Sequence, residues 1–161
     1  MRGTIVQVSI STGGLPKHAV SGGLIDFGGL AEDLHAHPQI HGGPRKAILL
    51  IASEVVEMLR ERGYPVFYGA LGENLTTRDI DLRQLQPGDR LRAGAACLEI
   101  TQPRSPCNQL DVYGPAIKSE IFDLRVKAGD RSSPYWGMSG LYAAVREPGL
   151  VQPGDRIEVL S

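Results

Sequence analysis

The stretch of this chain best suited to chemistry is "TQPRSPCNQL" at residues 101–110, where a cysteine follows an arginine and two prolines. Arg104 lies three residues before Cys107, and a nearby guanidinium stabilises the thiolate form of a cysteine. A thiolate is a strong ligand for soft metals, and Pro103 and Pro106 would hold it in a rigid turn. The alternative is a buried structural cysteine, the usual fate of a free cysteine. The stretch therefore indicates metal ligation by Cys107 and leaves a structural role open.

The second cysteine, Cys97, provides an internal comparison. It lies between Ala96 and Leu98 in a strand-like run without a flanking cation, which predicts a buried structural residue. Two cysteines in a chain of 161 residues do not indicate a disulfide framework. Their ten-residue separation also does not supply the four closely paired ligands of a structural zinc site.

Two glycine-rich loops carry basic residues that could bind an anion. "STGGLPK" (11–17) offers backbone N–H groups beside Lys17, and "HGGPRK" (41–46) places Arg45 and Lys46 next to glycines. Arginine suits bidentate contact with phosphate, whereas lysine supplies a point charge. Neither loop has the Gly-x-x-x-x-Gly-Lys-Ser/Thr pattern of a phosphate-binding loop. A plain turn therefore remains the alternative for both.

The segment "GENLTT" (72–77) is polar along its length, which is unusual for a core strand. Its polar residues Glu73, Asn74, Thr76 and Thr77 make the run too polar for the core, and an exposed edge strand is the alternative. Three histidines, His35, His37 and His41, lie in the long polar stretch 28–46. Solvated loop histidines are the alternative to a metal cluster there, because no helical spacing aligns them.

Short strands must position most of these residues. Alternation and β-branching predict a strand at 3–10, strand with a glycine break over 18–27, and a strand over 95–102. The apolar run at 47–52 predicts a buried strand or the lead into a helix. A short helix is expected within 109–122. Further strands are expected within 137–149 and 155–161.

One clear helix begins at Ser53, which is expected to cap it, and ends at Gly63. Its predicted apolar stripe consists of Val55, Val56, Met58 and Leu59. Many short strands joined by turns, with a helix or two attached, favour a closed or half-closed β-barrel.

Two similar segments, "LQPGDRLRAG" (85–94) and "VQPGDRIEVL" (151–160), share Gln-Pro-Gly-Asp-Arg before an apolar residue. Proline fixes the first turn position, and glycine occupies the position that needs a positive φ. Each segment predicts a turn that leads into a strand, and the similarity indicates shared turn chemistry rather than a duplicated domain.

Length and charge limit the classes of function. A chain of 161 residues predicts a single domain over 1–161 with a substantial core. With 17 basic and 18 acidic residues and a net charge of -1, the chain has no basic field for nucleic acid and no polybasic run for a membrane surface. The N-terminus is typical of a first strand rather than a signal peptide, and the longest apolar run is too short to span a bilayer. A cytoplasmic location is expected.

In their order along the chain, these motifs resemble the MOSC family, which is named after the C-terminal domain of molybdenum cofactor sulfurases. "GENL" followed later by "PRSPC" is the most specific combination, and the similarity extends over nearly the whole chain. The resemblance implies a stand-alone bacterial-type MOSC protein with a mostly β, barrel-like fold and one or a few short helices. The motifs that carry it are "HGG" (41–43), "LGENLTT" (71–77), "LQPGDRLRAG" (85–94), "LEITQPRSPC" (98–107) and "GMSGLYAAV" (137–145).

The resemblance also implies a site. The cysteine that matches Cys107 ligates the molybdenum of the pterin cofactor in relatives, or carries sulfur to it in the sulfurases. Three basic residues are then expected to meet the pterin phosphate or the metal oxo groups, and two polar residues match positions of the family's pocket. The three basic residues are Lys17, Arg45 and Arg104. The two polar residues are His41 and Asn74.

Two functions follow from the resemblance. The first is a molybdenum-dependent oxidoreductase that reduces N-hydroxylated compounds with electrons from an external donor protein. The second is a sulfur carrier that holds a persulfide on Cys107 for a cofactor partner; pyridoxal phosphate would then belong to the sulfur-donor protein, because the chain does not contain the pyridoxal-phosphate domain of the sulfurases. A β-rich interaction domain with a degenerate pocket is a third possibility.

Overall fold

A closed ring of strands forms the centre of the fold in a computed structural model that describes residues 1–33 and 43–161. Within these residues the helices are α1 (Ser53–Glu61) and α2 (Leu124–Lys127), with 3-10 turns at Pro44–Lys46, Leu82–Gln84, Asn108–Tyr113 and Ile117–Glu120. The strands are β1 (Arg2–Ile10), β2 (His18–Val20), β3 (Gly23–Asp26), β4 (Gly29–Leu30), β5 (Ile48–Ala52), β6 (Leu75–Arg78), β7 (Arg90–Ala93), β8 (Ala96–Pro103), β9 (Leu141–Glu147), β10 (Gly149–Val151) and β11 (Arg156–Leu160).

Seven strands of the described chain form a barrel in the order β11-β7-β8-β9-β5-β6-β1, and β1 closes it by pairing with β11. Neighbours in this ring are antiparallel except β5 and β6, which are parallel and connected through α1. A small sheet of β10, β3 and β4 lies beside the barrel, and β2 extends the main sheet along β1. The predicted mostly β, barrel-like fold is confirmed.

Strand β5 separates two hydrophobic cores, which explains why its five residues are all buried. Ile48, Leu50 and Ala52 belong to the core inside the barrel. Leu49 and Ile51 point the other way and pack under α1 and the 3-10 turns, with Val56, Leu59 and others. A strand covered on both faces is apolar throughout and does not alternate. The prediction over 47–52 is therefore confirmed in both of its forms, since the strand runs directly into the helix.

This direct connection corrects the prediction for Ser53. The N-cap of α1 is Ala52, the last residue of β5, and no side chain caps the helix. The backbone is extended up to Ala52, so Ser53 is the first residue of the first helical turn and not the residue before it. The Ser53 hydroxyl donates to Glu54 Oε1. None of the helices in the described ranges has the length and apolarity needed to cross a membrane.

The two Gln-Pro-Gly-Asp-Arg turns have the same construction, as predicted. Gly88 and Gly154 have φ values of 97° and 94°. In each turn an aspartate accepts a hydrogen bond of 2.9 Å from the backbone N–H of the glutamine three residues earlier, Asp89 from Gln86 and Asp155 from Gln152. The strands that follow, β7 and β11, pair with each other.

Candidate functional site

Cys107 lies just beyond the end of β8, where the chain leaves the barrel. The Arg104 backbone N–H donates to Gly140 O at 2.9 Å, and Ser139 Oγ donates to Arg104 O at 2.6 Å. These bonds fix the segment against the 137–140 turn, and a 3-10 turn begins immediately after Cys107. Cys107 is half-buried, whereas Cys97 is 5% exposed within β8, as predicted for a structural cysteine. Cys107 is therefore the cysteine within reach of a ligand.

The guanidinium of Arg104 is buried beside this cysteine, and the residue is only 4% exposed. It donates to two backbone carbonyls, Leu71 O at 2.7 Å and Ser139 O at 3.3 Å. Among the described residues no carboxylate forms an ion pair with it. Burial lowers the pKa of Arg104, and the negative potential of Tyr142, Cys107 and Glu73 opposes that shift. A buried positive charge without a paired anion favours an anionic ligand.

Glu73 follows Leu71, whose carbonyl accepts from Arg104, by two residues and is fully buried. Its Oε2 accepts hydrogen bonds from Gly69 N at 3.0 Å and Thr76 Oγ1 at 3.1 Å. No described residue donates to its Oε1. Burial raises the pKa of Glu73, and its hydrogen bonds and the Arg104 charge act in the opposite direction. The carboxyl thus shapes the 69–76 loop and is also an unsatisfied group close to Arg104.

Tyr142, on β9, connects Arg104 to the second basic loop. Burial raises the pKa of the Tyr142 hydroxyl, while the Arg104 charge lowers it and the Cys107 thiol raises it. The Lys46 ammonium lies 5.5 Å from the centre of the Tyr142 ring, a cation–π contact. Thr101 Oγ1 lies 2.6 Å from Arg45 O and 3.2 Å from Tyr142 O, which holds this loop against β9. Arg45 itself is exposed.

Gly72 lies in a closely packed position between Leu15 and the Arg104 guanidinium. Its φ is 92°, and a Cβ placed there would lie 2.7 Å from Leu15 Cδ2 and 3.8 Å from Arg104 Nη2. A side chain at this position would therefore collide with Leu15 unless Leu15 moved. The 11–17 loop packs against this position through Leu15. Residues 13–16 of the loop also line a cavity of about 260 Å³ together with Gln109, Val112 and Tyr113.

Lys17 and Asn74 belong to a neighbouring cluster that is centred on Asp33. Lys17 Nζ lies 2.6 Å from both carboxylate oxygens of Asp33, and the two side chains are 7% and 2% exposed. Asn74 Nδ2 donates to Asp33 Oδ2 at 2.8 Å, and Asn74 Oδ1 accepts from Leu49 N at 3.1 Å. The Asp33 cluster and the residues around Arg104 meet at the 69–73 loop, where Lys17 N donates to Gly69 O.

The structure thus places Cys107 and Arg104 together, with the Arg45–Lys46 loop joined to them through Tyr142. Lys17 and Asn74 are engaged with Asp33 instead. His41, His35 and His37 lie outside the described residues. Within those residues, no group of three or more His, Cys, Asp or Glu side chains could hold a metal ion. Among the described residues of this site, Cys107 is the thiol that a ligand could reach.

Sequence reasoning missed several residues of this site. Glu73 was noticed only as part of a polar run, and the alternative of an exposed edge strand for 72–77 is wrong because β6 is buried between β5 and β1. Tyr142 and Ser139 were not singled out, although both lie in "GMSGLYAAV", which carried the resemblance. Asp33 gave no signal, since an isolated aspartate in a polar stretch is ordinary.

Comparison with known proteins gives a consistent result. A family model described as "MOSC domain" matches residues 37–158. The uncharacterised protein YflK of Bacillus subtilis is 31% identical over 153 residues, which are 94% of this chain and 65% of that protein. Protein YiiM of Escherichia coli is 30% identical over 141 residues, 83% of this chain and 57% of its own length. The chain thus spans about three fifths of the length of these two relatives.

Solved structures share the fold. The crystal structure of YiiM from Geobacillus stearothermophilus matches with a TM-score of 0.73 and 24% identity over 99% of this chain and 75% of that chain. The YUAD protein of Bacillus subtilis matches with a TM-score of 0.72 and 23% identity over 99% of this chain and 96% of its own. At these identities the likeness concerns the fold alone.

Proposed function

Since the chain belongs to the MOSC domain family, whose members are associated with the molybdenum cofactor, we propose that it binds this cofactor at Cys107 and Arg104. We further propose that it reduces N-hydroxylated compounds with electrons from a separate protein. The observation that carries the proposal is the buried Arg104 guanidinium, which pairs with no carboxylate in the part of the chain that the structure describes and lies near a half-buried cysteine.

The described residues fit such a cofactor in three respects. Cys107 offers one thiolate, a suitable ligand for a soft metal. Arg104 offers a buried positive charge for a thiolate or an oxo group. The backbone carbonyls of Leu71 and Ser139 hold the Arg104 guanidinium in a fixed position. A cofactor that brings metal ligands of its own would need one thiolate from the protein, which Cys107 could supply.

Each residue would have a separate task. Cys107 would hold the metal through its sulfur, and Arg104 would stabilise negative charge next to it. Arg45 and Lys46 would attract the cofactor phosphate from the rim of the site, since Arg45 is exposed and Lys46 lies over Tyr142. The bound cofactor would supply the two-electron redox chemistry. The protein would orient substrate and cofactor and control the local charge.

The roles proposed for Lys17, His41 and Asn74 in the cofactor pocket stay predictions. Lys17 and Asn74 are bound to Asp33. For them to contact a cofactor directly, they would have to exchange these bonds for new ones. Their present contacts instead join β1, β5 and the loop before β6, and so help to fix the position of that loop.

The test is metal and sulfur analysis of protein purified from a host that makes molybdenum cofactor. We expect near-stoichiometric molybdenum in the wild type and in Cys97→Ser, the matched control at a buried cysteine, and loss of molybdenum in Cys107→Ser. Reduction of an N-hydroxylated base by the loaded protein, with a reduced viologen dye as electron source, should follow the same pattern.

A different result would favour the sulfur carrier. Sulfur released from Cys107 by mild reductant, in a protein without molybdenum, would identify a persulfide and overturn the oxidoreductase proposal. Equal molybdenum content in wild type and Cys107→Ser would remove Cys107 as the ligand.

A further inference from the structure

A cavity of about 480 Å³ lies between α1, residues 79–83 and the 137–140 turn, and we call it the α1 cavity. Its volume is in the range of small-molecule sites, about 300–1,000 Å³. The first two residues of the turn line it, and the next residue, Ser139, bonds to Arg104. The α1 cavity therefore borders the turn that holds Arg104, but neither Arg104 nor Cys107 lines it.

Apolar side chains from all three elements line the α1 cavity. Ile80 and Leu82 are each 2% exposed, whereas Val55, Met58 and Met138 are half-buried. Val55 and Met58 belong to the apolar stripe predicted for α1, and the other two residues of that stripe are fully buried in the core beneath the helix. The helix thus uses part of its stripe for the core and part for the cavity wall. Methionine side chains are flexible and adapt to ligands of different shape.

Two acidic side chains at the edge of the α1 cavity lack a compensating cation. Glu54 and Asp79 are both exposed, and both line the cavity. Glu54 Oε2 accepts from the Asp79 backbone N–H at 3.0 Å, which places the two residues in contact. Within the described ranges of the chain, neither carboxylate forms an ion pair, whereas Asp81 is paired with Arg83 at 3.1 Å. The edge of the cavity therefore carries two negative charges that a ligand can neutralise.

The combination of apolar walls and an acidic edge selects the class of ligand. The N-terminus of α1 also lies at the cavity and carries a partial positive charge of about half an elementary charge. The two carboxylates outweigh this charge, so the local potential attracts cations and repels anions. A neutral ligand would gain the apolar contacts but would leave both carboxylates without a partner.

We propose that the α1 cavity binds a small organic cation. Its apolar body packs against Val55, Met58 and Met138, and its ammonium group pairs with Glu54 and Asp79 at the edge. A concave apolar surface with a few convergent polar groups is the usual form of a small-molecule site. The site goes beyond the proposed function and does not depend on it, because it shares neither Cys107 nor Arg104.

The methionines of the chain provide the probe. The chain has three of them, Met1, Met58 and Met138, of which the last two line the α1 cavity. Protein labelled with 13C at the methionine methyl groups is titrated with tryptamine, tryptophol and indole-3-propionate, which share the indole ring and a two-carbon chain but end in an ammonium, a hydroxyl and a carboxylate. Met58→Leu and Met138→Leu identify the two signals by NMR, and Met1 is the internal control.

We expect tryptamine to shift the Met58 and Met138 signals saturably and to leave the Met1 signal in place. Since one exposed ion pair contributes up to about fivefold in affinity, two carboxylates should make tryptamine bind about tenfold more tightly than tryptophol. Indole-3-propionate should bind more weakly than tryptophol, because its carboxylate meets two others.

Substitutions at the edge test the charges separately. Asp79 has a φ of 67°, a conformation that asparagine also tolerates, so Asp79→Asn removes the charge and keeps the backbone. Asp79→Asn and Glu54→Gln should each weaken tryptamine by about threefold and leave tryptophol unchanged. Glu61→Gln, at the exposed far end of α1, should change neither affinity.

Absence of a saturable shift at Met58 and Met138 in tryptamine would overturn the inference. Equal affinities for the three probes would also overturn it, because they would show an apolar cavity that does not select charge. The comparison of probes uses the wild-type chain and does not depend on the folding of a variant. A wild type that binds tryptamine but no molybdenum would contradict the proposed function and leave the organic-cation site in place.

Discussion

At the scale of single residues, the defining feature is that charge is buried where the chain could have used apolar side chains. Arg104 and Glu73 both lie in the interior near Cys107. Replacing buried charges by hydrophobic groups of similar size is often neutral or stabilising. Stability alone therefore does not account for this pair, and the proposed cofactor site would give these charges a role.

The state of Glu73 has a consequence for stability. Burial raises the pKa of Glu73 in the folded protein, so the folded chain holds this proton more tightly than the unfolded chain does. The contribution of Glu73 to the free energy of unfolding is then expected to fall as pH rises above about 4.3, the ordinary value of a glutamate, until the folded pKa is passed. Glu73→Gln should lose this dependence, and its stability relative to the wild type should rise by up to about 1.4 kcal/mol per pH unit in that window.

Urea denaturation at a series of pH values measures this difference. Glu61→Gln, at an exposed glutamate at the end of α1, is the control and should follow the wild type. A relative stability that falls with pH would show that Arg104 holds Glu73 as a carboxylate, contrary to the prediction.

The sequence predicted part of this site. Cys107 and Arg104 stood out because prolines and a cation surround a cysteine, which is a local pattern. Lys17 and Asn74 were also selected, but their partner Asp33 is far away in sequence, at 16 and 41 residues. Local patterns do not reveal which polar residues bond to each other across a fold.

At the scale of elements, the 69–73 loop is the part that joins both clusters. Gly69 O accepts from Lys17 N, Leu71 O accepts from Arg104, and Glu73 bonds back to Gly69 N. The loop thus orients the Arg104 guanidinium and the Glu73 carboxyl together. Gly69 is needed where the Lys17 carbonyl comes close, and Gly72 where the Leu15 side chain does.

Gly69 tests this arrangement, with Gly63 as a matched control. Their φ values are 97° and 95°, but a Cβ on Gly69 would lie 2.4 Å from Lys17 O, whereas a Cβ on Gly63 would meet nothing within 4 Å. Gly63→Ala should cost about 1–2 kcal/mol for the left-handed backbone. Gly69→Ala should cost about 1–3 kcal/mol more because of the clash. Equal unfolding midpoints in urea for the two variants would contradict the close approach.

The same scale shows where element prediction succeeded and failed. Alternation correctly predicted β1 and β8, and the turn signature predicted both turns before β7 and β11. The polar strand β6 was harder to place, because its threonines at 76 and 77 are buried by strands on both sides. Its polar residues favoured an exposed edge strand, but pairing with β5 and β1 buries it.

At the scale of the whole molecule, closure of the barrel depends on its two ends. β1 pairs with β6 on one side and with β11 and β2 on the other, and Arg2, Gly3 and Thr4 are in register with Glu158, Ile157 and Arg156. The sequence predicted a barrel as a class, but this pairing joins residues more than 150 positions apart. Such a contact has no local signature, since its entropic cost is set by the whole intervening chain.

Removal of β11 should therefore affect the entire barrel. A chain that ends at Asp155 leaves β1 and β7 with unpaired edges and removes Ile157, which is fully buried in the barrel core. Exposed edges and a lost core residue destabilise the fold together, so we expect loss of cooperative urea unfolding and of dispersed amide signals in NMR. Deletion of the exposed Ser161 alone should change neither. A sharp unfolding transition at the wild-type midpoint in the shortened chain would show that the barrel does not need this closure, and the position of the 101–110 segment would then have to be explained by β8 and β9 alone.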